Sequence, residues 1–181
     1  PDWSHVGLFG AVRDSEITDL TVSPGHVITA GETAGILAGS VQDSVIRNVA
    51  VAGALKTAGN TGGIAGEIAG TVVENCTADH VAMDLGKGKE TFAGGITGKA
   101  AGSVISDCTV NTGDSLNARI QGGGYVGGIT GFQNDTDIFN AHVMGTIGGS
   151  GSQAIGGVTG KYASGKMKVA RFEGRIASSG L

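Results

Sequence analysis

A carboxylate beside an imidazole can act as a general acid-base pair, so neighbouring acidic and histidine residues are the first candidates for catalysis. Asp79 and His80 are the only adjacent acid and histidine in the chain. Consecutive residues of a strand point to opposite faces, so we expect these two side chains not to act together. His5, His26 and His142 fall at unrelated places, which predicts no shared set of bases or ligands. The histidines therefore indicate no catalytic residue.

Two other groups of residues could bind a metal ion or react with each other. The run Asn134–Asp137 (NDTD) offers the alternating oxygen ligands that calcium prefers, but its two carboxylates favour an ordinary surface turn. Cys76 and Cys108 lack the spacing of a zinc site and are too few for a disulfide scaffold. The sequence therefore predicts no metal site and no cofactor.

Composition narrows the class of protein. The chain has 181 residues and 35 glycines, about 19% against the ~7% that is usual, with 40% hydrophobic residues. We expect one folded domain over residues 1–181. A net charge of −4 offers no overall basic field, so nucleic acid is not an expected partner. No apolar run is long enough to predict a membrane span.

The chain opens with PDWSHVGLFG and has neither an initiator methionine nor a signal peptide there. It ends with IASSGL, where a further repeat would begin. We therefore interpret residues 1–181 as a segment of a longer protein. Trp3 is expected to cover the first coil of the fold described below.

A five-residue phrase recurs at 62–66 (GGIAG), 94–98 (GGITG), 127–131 (GGITG) and 156–160 (GGVTG). Two related cores precede these, GLFG from Gly7 and GILA from Gly35, so that the unit occurs six times at intervals of 28 to 33 residues. In this alignment the second copy, with Ala38, lacks the closing glycine. Such a period is typical of a solenoid. The glycine before each aliphatic residue is the reference point: Gly7, Gly35, Gly63, Gly95, Gly128 and Gly157.

A second phrase follows each core: SEITDLTV, SVIRNVAV, TVVENCTA, SVISDCTV, TDIFNAHV and KMKVARFE. In it Ile105 and Cys108 have opposite parity, so both can face inward only if the chain bends at Asp107. We predict that corner in every copy, at Asp19, Asn48, Asn75, Asp107, Asn140 and Arg171, two residues after Ile17, Ile46, Val73, Ile105, Ile138 and Val169. A third phrase, glycine, any residue and an aliphatic residue, begins at Gly25, Gly53, Gly145 and Gly174.

These phrases are short, rich in Val, Ile and Thr, and bounded by turn residues, which predicts strands and no helix. We therefore predict an all-β fold, a parallel β-solenoid of about six coils of ~30 residues with three strands and three corners each. Repeated hairpins are the alternative, but two-residue NG or DG turns within a unit are missing. The aliphatic residues of the core phrase, such as Ile96, should form an inward ladder.

Stacking of the coils predicts columns of equivalent residues. Cys76 and Cys108 share one column, which permits a disulfide, although buried free thiols are the favoured interpretation. Thr97, Thr130 and Thr159 form another column, which we expect to face outward. It lacks the second threonine column of an ice-binding face, so no such activity is predicted. Aromatic residues share or adjoin a further column, where they could receive a sugar ring but are more typical of stacking between coils: Phe92, Tyr125, Phe132 and Tyr162.

A carbohydrate-cleaving β-helix would need clustered carboxylates. Asp19 and Asp107 are the acids that recur in the corner column, among asparagines. Hydrogen bonding of these side chains to the backbone explains them without catalysis. A polysaccharide-active enzyme is therefore the least favoured alternative.

The cores and the S-x-I-x-[ND]-x-x-V phrases resemble the GLUG repeat over nearly the whole chain, from Val6 to Ile176. The resemblance implies an extracellular or cell-surface protein of bacteria. GLUG repeats occur in the non-catalytic N-terminal region of zinc metallopeptidases that include the immunoglobulin A proteases, whose HExxH motif this chain lacks. It implies an accessory segment that is not itself an enzyme. A spacer or host-glycoprotein-binding role, with immunoglobulin A and neighbouring domains as partners, is thus expected, and an adhesin stalk is the alternative.

Overall fold

Short parallel strands joined by tight corners make up the chain in a computed structural model. The structure describes residues 4–86, 88, 90–113, 120–121, 124–149 and 152–178. Within these residues there is no helix, and hence none that could cross a membrane. Trp3, expected to cover the first coil, lies outside the described residues.

The strands follow one another in six coils. The first coil holds β1 (His5–Val6), β2 (Phe9–Arg13), β3 (Glu16–Thr18), β4 (Thr21–Val22) and β5 (Ile28–Ala30). The second holds β6 (Thr33–Gly35), β7 (Ala38–Gln42), β8 (Val45–Arg47), β9 (Ala50–Val51) and β10 (Ala54–Thr57). The third holds β11 (Asn60–Gly62), β12 (Ala65–Ala69), β13 (Val72–Glu74), β14 (Thr77–Asp79) and β15 (Ala82–Asp84).

The later coils repeat this order. The fourth holds β16 (Phe92–Gly94), β17 (Thr97–Ala101), β18 (Val104–Ser106), β19 (Thr109–Asn111) and β20 (Ile120–Gln121). The fifth holds β21 (Tyr125–Gly127), β22 (Thr130–Asn134) and β23 (Asp137–Gly149). The sixth holds β24 (Ala154–Gly156), β25 (Thr159–Tyr162) and β26 (Met167–Ser178). In these two coils one long strand replaces the last three short ones.

Each strand pairs in parallel with its equivalents in the neighbouring coils. The first strands of the coils form sheet A (β1-β6-β11-β16-β21-β24), and the second strands form sheet B (β2-β7-β12-β17-β22-β25). The remaining strands form sheet C. The predicted all-β parallel β-solenoid of about six coils is therefore confirmed. The first four coils have five short strands rather than the predicted three, because turns divide the first two phrases, whereas the fifth and sixth coils have three.

The core phrase forms the turn between sheets A and B. In the second coil the sequence alignment is wrong by one residue, because Gly35 pairs with Gly62 and Ala38 pairs with Ala65. Leu37 therefore takes the ladder position of Ile64. Ile36 takes the place of the second glycine, a substitution that the spacing alone does not reveal.

The closing glycine of the phrase lies where sheet A and sheet B touch. A Cβ on Gly98 would lie 2.5 Å from the carbonyl oxygen of Phe92 and 2.6 Å from the amide nitrogen of Thr61, so no larger residue fits. The second coil does have this glycine: Gly39 precedes Ser40, which pairs with Glu67. The predicted absence of a closing glycine in that copy is thus wrong. Backbone contact between the two sheets explains why the phrase recurs.

The inward aliphatic ladder is confirmed and runs through the middle of the solenoid. Ile96 is fully buried, whereas its counterpart Leu8 in the first coil is 55% exposed. The difference arises because the first coil has a neighbour on one side only among the described residues. The other ladder residues with no exposed surface are Leu37, Ile64 and Ile129.

Two further alignments need correction at the ends of the solenoid. Ile138 pairs with Met167, so Val169 rather than Arg171 takes the corner position of the sixth coil. In the third phrase of the first coil, Ile28 and not Val27 pairs with Leu55. Val27 is 57% exposed, which is consistent with that shift.

Candidate functional site

The predicted corner in the second phrase is a left-handed turn held by a ladder of side chains. Asn48 has φ 53° and Asn75 has φ 51°, values that Asn and Asp tolerate better than other non-glycine residues. Asn75 Nδ2 donates to Asn48 Oδ1 at 2.8 Å, and Asn48 Nδ2 donates to Asp19 Oδ1 at 2.9 Å. Farther along, Asn140 Nδ2 donates to Asp107 Oδ1 at 2.6 Å. The corner acids thus accept hydrogen bonds from the next coil.

A second ladder, which the sequence analysis missed, lies at the corner before the second phrase. Ser44 Oγ accepts a hydrogen bond from the Ser15 amide at 3.1 Å and donates to the Gln42 carbonyl at 2.6 Å. Ser103 Oγ likewise accepts from the Thr71 amide at 3.1 Å. This ladder could have been predicted from the sequence, because a hydroxyl residue begins five of the six second phrases: Ser15, Ser44, Thr71, Ser103 and Thr136.

Asp79 and His80 do contact each other, contrary to the expectation that they point to opposite faces. His80 has φ 50° and lies in a turn rather than in a strand, which brings its Nδ1 within 2.8 Å of Asp79 Oδ2. The other carboxylate oxygen accepts from Asn111 Nδ2 at 2.9 Å. The imidazole is 70% exposed, and no serine, threonine or cysteine is recorded as its hydrogen-bond partner among the described residues. The pair joins two coils at the surface.

The remaining histidines lie apart, as predicted. His5 Nδ1 lies 2.5 Å from Thr33 Oγ1 across the first two coils. His142 Nε2 lies 3.0 Å from Glu173 Oε2, and Arg171 contacts the same carboxylate. The hydrogen bond with His142 lowers the pKa of Glu173, and Arg171 reinforces that effect.

Cys76 and Cys108 are stacked, fully buried free thiols. Their neighbours fix the register, since Glu74 pairs with Ser106 and Thr77 with Thr109. The hydrogen bond with Cys76 and burial raise the pKa of Cys108 well above its ordinary value. Both thiols lie within the hydrophobic core with no exposed surface, so this pair fills the core, as the favoured interpretation held.

The threonine column faces inward, so the predicted outward direction is wrong. Thr97 and Thr130 have no exposed surface. Thr130 Oγ1 lies 3.2 Å from Thr159 Oγ1, which donates to Oε1 of the buried Gln133 at 2.9 Å. Gln133 Nε2 donates to the Thr136 carbonyl at 2.9 Å. Threonine can be buried here because each hydroxyl finds a partner.

The run Asn134–Asp137 forms a surface turn that the next coil completes. Asp135 has φ 47°, and Asn134 Oδ1 accepts from Ser164 Oγ at 3.0 Å. Asp137 Oδ1 accepts from the Lys166 amide at 2.8 Å. These oxygens are therefore used between coils rather than directed at one point. Within the described ranges no group of three or more His, Cys, Asp or Glu residues could hold a metal ion.

The aromatic column forms a stacked cluster on the outer surface. The rings of Phe92 and Tyr125 are 5.5 Å apart and inclined by 19°, and Phe132 lies 5.2 Å from Phe92. Lys161 Nζ lies 4.9 Å from the centre of the Tyr125 ring. Tyr162 instead donates its hydroxyl proton to the Gly165 carbonyl. The faces of Phe92 and Tyr125 are turned to each other, which is typical of stacking between coils.

Charged side chains also connect coils, and sequence reasoning did not single them out. Arg47 lies between Glu16, with Nη1 to Oε1 at 3.0 Å, and Glu74, with Nε to Oε2 at 2.7 Å. The hydrogen bond to Glu74, with the charge of Glu16, raises the pKa of Arg47. The register of β8 with β13 could have been found from the opposite charges of Glu74 and Arg47, which share a column. Glu16 gives no such signal, because it pairs with Val45 and reaches Arg47 diagonally.

The columns together contain no convergent group of reactive side chains among the residues that the structure describes. The corner acids and Asp137 accept hydrogen bonds between coils, and so do most of the hydroxyls named above. In the described part of the chain every buried side-chain nitrogen and oxygen has a hydrogen-bond partner. Comparison of the chain with models of protein families, with curated proteins and with solved structures gives no match.

Proposed function

We propose that this chain is a non-catalytic β-solenoid segment of a bacterial secreted or cell-surface protein. Its role is to space neighbouring domains or to present one face to a host glycoprotein such as immunoglobulin A. The resemblance to GLUG repeats supports the accessory region of an immunoglobulin-A-protease-like zinc metallopeptidase as the parent.

One observation carries this proposal: the polar residues that could do chemistry serve as links between coils. Asp107, Asp79 and Ser103 each accept a hydrogen bond from an adjacent coil. A side chain held in such a ladder is positioned by the stack and not by a substrate. A protein built in this way is suited to rigid spacing and to binding along its length.

Peptide mass spectrometry of the intact native polypeptide tests the parent. The proposal expects an HExxH segment downstream of residue 181. More repeats followed by a wall anchor would instead make the chain an adhesin stalk, and the metallopeptidase parent would be abandoned.

A binding titration of the segment with immunoglobulin A tests the second role. Saturable binding supports presentation to that glycoprotein, whereas no interaction at high micromolar concentration leaves the spacer role alone. Turnover of uronic-acid polysaccharides by the segment would contradict its non-catalytic character.

A further inference from the structure

The sixth coil differs in charge from the rest of the solenoid. Residues 154–178 contain five of the twelve Lys and Arg residues but one of the sixteen Asp and Glu residues. This coil therefore carries a charge of +4, whereas the remainder of the chain carries −8. The overall charge of −4 conceals that separation.

Strand β26 directs most of these cations outward. Lys168 and Arg171 pair with Phe139 and His142, which are not buried, and both cations are exposed. Lys166 and Arg175 lie before and after them and are also exposed, although Arg175 pairs with the buried Thr146. Four of the outward positions are basic and exposed. We call them the cationic row: Lys166, Lys168, Arg171 and Arg175.

The cations of the row are only partly neutralised by neighbouring carboxylates. Lys166 Nζ is 3.9 Å from Asp137 Oδ2 but its side chain is 79% exposed. Arg171 contacts Glu173, whose carboxylate is shared with His142. Among the described residues, Lys168 and Arg175 have no ion-pair partner. The local field is therefore positive and weakly compensated.

We propose that the cationic row binds an anionic polysaccharide, a flexible glycan chain that carries sulfate or carboxylate groups. The row runs from Lys166 to Arg175, nine residue steps or about 30 Å along the chain at ~3.3 Å per residue, but it is only one strand wide. A narrow, flexible polyanion can follow it around the corner at Val169.

Acidic residues in the neighbouring coils argue against a partner that covers a broad surface around the row. Asp137 lies beside the row in the fifth coil, and Asp107 follows in the fourth. A membrane surface or a nucleic acid duplex would cover these carboxylates together with the row. A single-stranded nucleic acid also needs aromatic platforms for successive bases, and the positions of β23 that pair with the row offer a single phenylalanine, Phe139 beside Lys168. The choice of a glycan over a nucleic acid additionally rests on the proposed extracellular function.

Calorimetric titration of residues 1–181 with heparin, a sulfated polysaccharide, tests the row. We expect saturable binding at 50 mM salt that weakens at least tenfold at 200 mM, because cation contacts to a polyanion release counterions. The double variant Lys168→Glu, Arg175→Glu should weaken binding at least tenfold without changing the melting transition. The matched control Arg13→Glu, Lys56→Glu changes the net charge equally on other coils, where both residues are exposed, and should stay within about twofold.

Three results would overturn the proposal. They are no heparin binding at 50 mM salt, equal weakening in the control variant, and tighter binding of single-stranded DNA or of phosphatidylserine vesicles than of heparin. The last result would reassign the row to a nucleic acid or a membrane. An intracellular parent in the peptide map would refute the proposed function but would leave a measured heparin affinity intact, so the two failures are distinguishable.

Discussion

Each strand of the sixth coil pairs with its equivalent in the fifth, yet the two coils differ in burial and in the residue at the corner. Eleven residue pairs hold β23 against β26 in parallel register, including Ile147 with Ile176. Ile147 is fully buried, whereas Ile176 is 49% exposed. At the corner the fifth coil has Asn140 and the sixth has Val169. The corner residue is therefore an asparagine in the fifth coil, which has neighbours on both sides, and a valine in the sixth, for which the structure describes a neighbour on one side only.

A charge placed in the inward aliphatic ladder should have the largest effect on stability. Ile96→Asp buries a carboxylate with no partner, so we expect a loss of more than about 4 kcal/mol and cooperative unfolding of the whole array. Ile176→Asp, in the half-exposed sixth coil, should cost about 1 kcal/mol. Urea denaturation followed by circular dichroism measures both. A melting transition near wild type for Ile96→Asp would contradict the inward assignment.

The closing glycines give the next largest contrast. A Cβ on Gly98 meets backbone at 2.5 Å, whereas a Cβ on Gly10 finds its nearest atom, the His5 carbonyl oxygen, at 3.5 Å. Gly98→Ala should therefore destabilise the protein by about 2–3 kcal/mol through overpacking. Gly10→Ala should be neutral or slightly stabilising. Equal effects of the two variants in denaturant titrations would show that contact between sheets A and B is not what requires glycine.

The preference for Asn or Asp at the left-handed corner can be tested at Val169 by introducing an asparagine. This β-branched residue has φ 57°, a conformation that costs an ordinary side chain roughly 1–2 kcal/mol. We expect Val169→Asn to raise the free energy of unfolding by about 1 kcal/mol. Val27→Asn, an exposed valine with no positive φ, serves as the control and should change little. A destabilised Val169→Asn protein would argue against the left-handed corner in the sixth coil.

The smallest expected effect concerns a gap in the corner ladder. Asp107 accepts from Asn140, but its carboxylate has no N–H to donate toward Asn75, so the ladder is interrupted there. Asp107→Asn should complete it and add about 0.5–1 kcal/mol, the usual net value of one hydrogen bond. Asp19→Asn extends no ladder and is the control. Thermal melts of the two variants should therefore separate, and a lower melting temperature for Asp107→Asn would disprove the interruption.

The sequence predicted the coil and the Asn corner because each depends on a local physical rule. Recurring glycines indicated close backbone contact, and the parity change between Ile105 and Cys108 indicated a bend at Asp107. The alignment of Gly35 with Gly63 failed because GIL and GGI both read as glycine with an aliphatic residue. The pairings of Gly35 with Gly62 and of Ala38 with Ala65 distinguish them.

Side-chain directions were harder to predict where polar residues are buried. Thr97 was expected outside because it is polar, but its hydroxyl donates to the Lys99 carbonyl at 3.1 Å and can remain inside. The sequence did not predict the last corner at Val169, because a β-branched residue is disfavoured in a left-handed turn. His80 was read as a strand residue although it lies in such a turn. The cationic row could not be identified without the structure, because the sequence does not show which charges of β26 and its flank lie on the outside.

The hydrogen bonds between coils run along the axis of the solenoid, and this has a mechanical consequence. Tension applied along that axis from the end would open one coil at a time, since each coil pairs only with its neighbours. Each released coil of ~30 residues would lengthen the chain by up to about 100 Å. A spacer of this design would hold a fixed length under small loads and extend in steps under large ones.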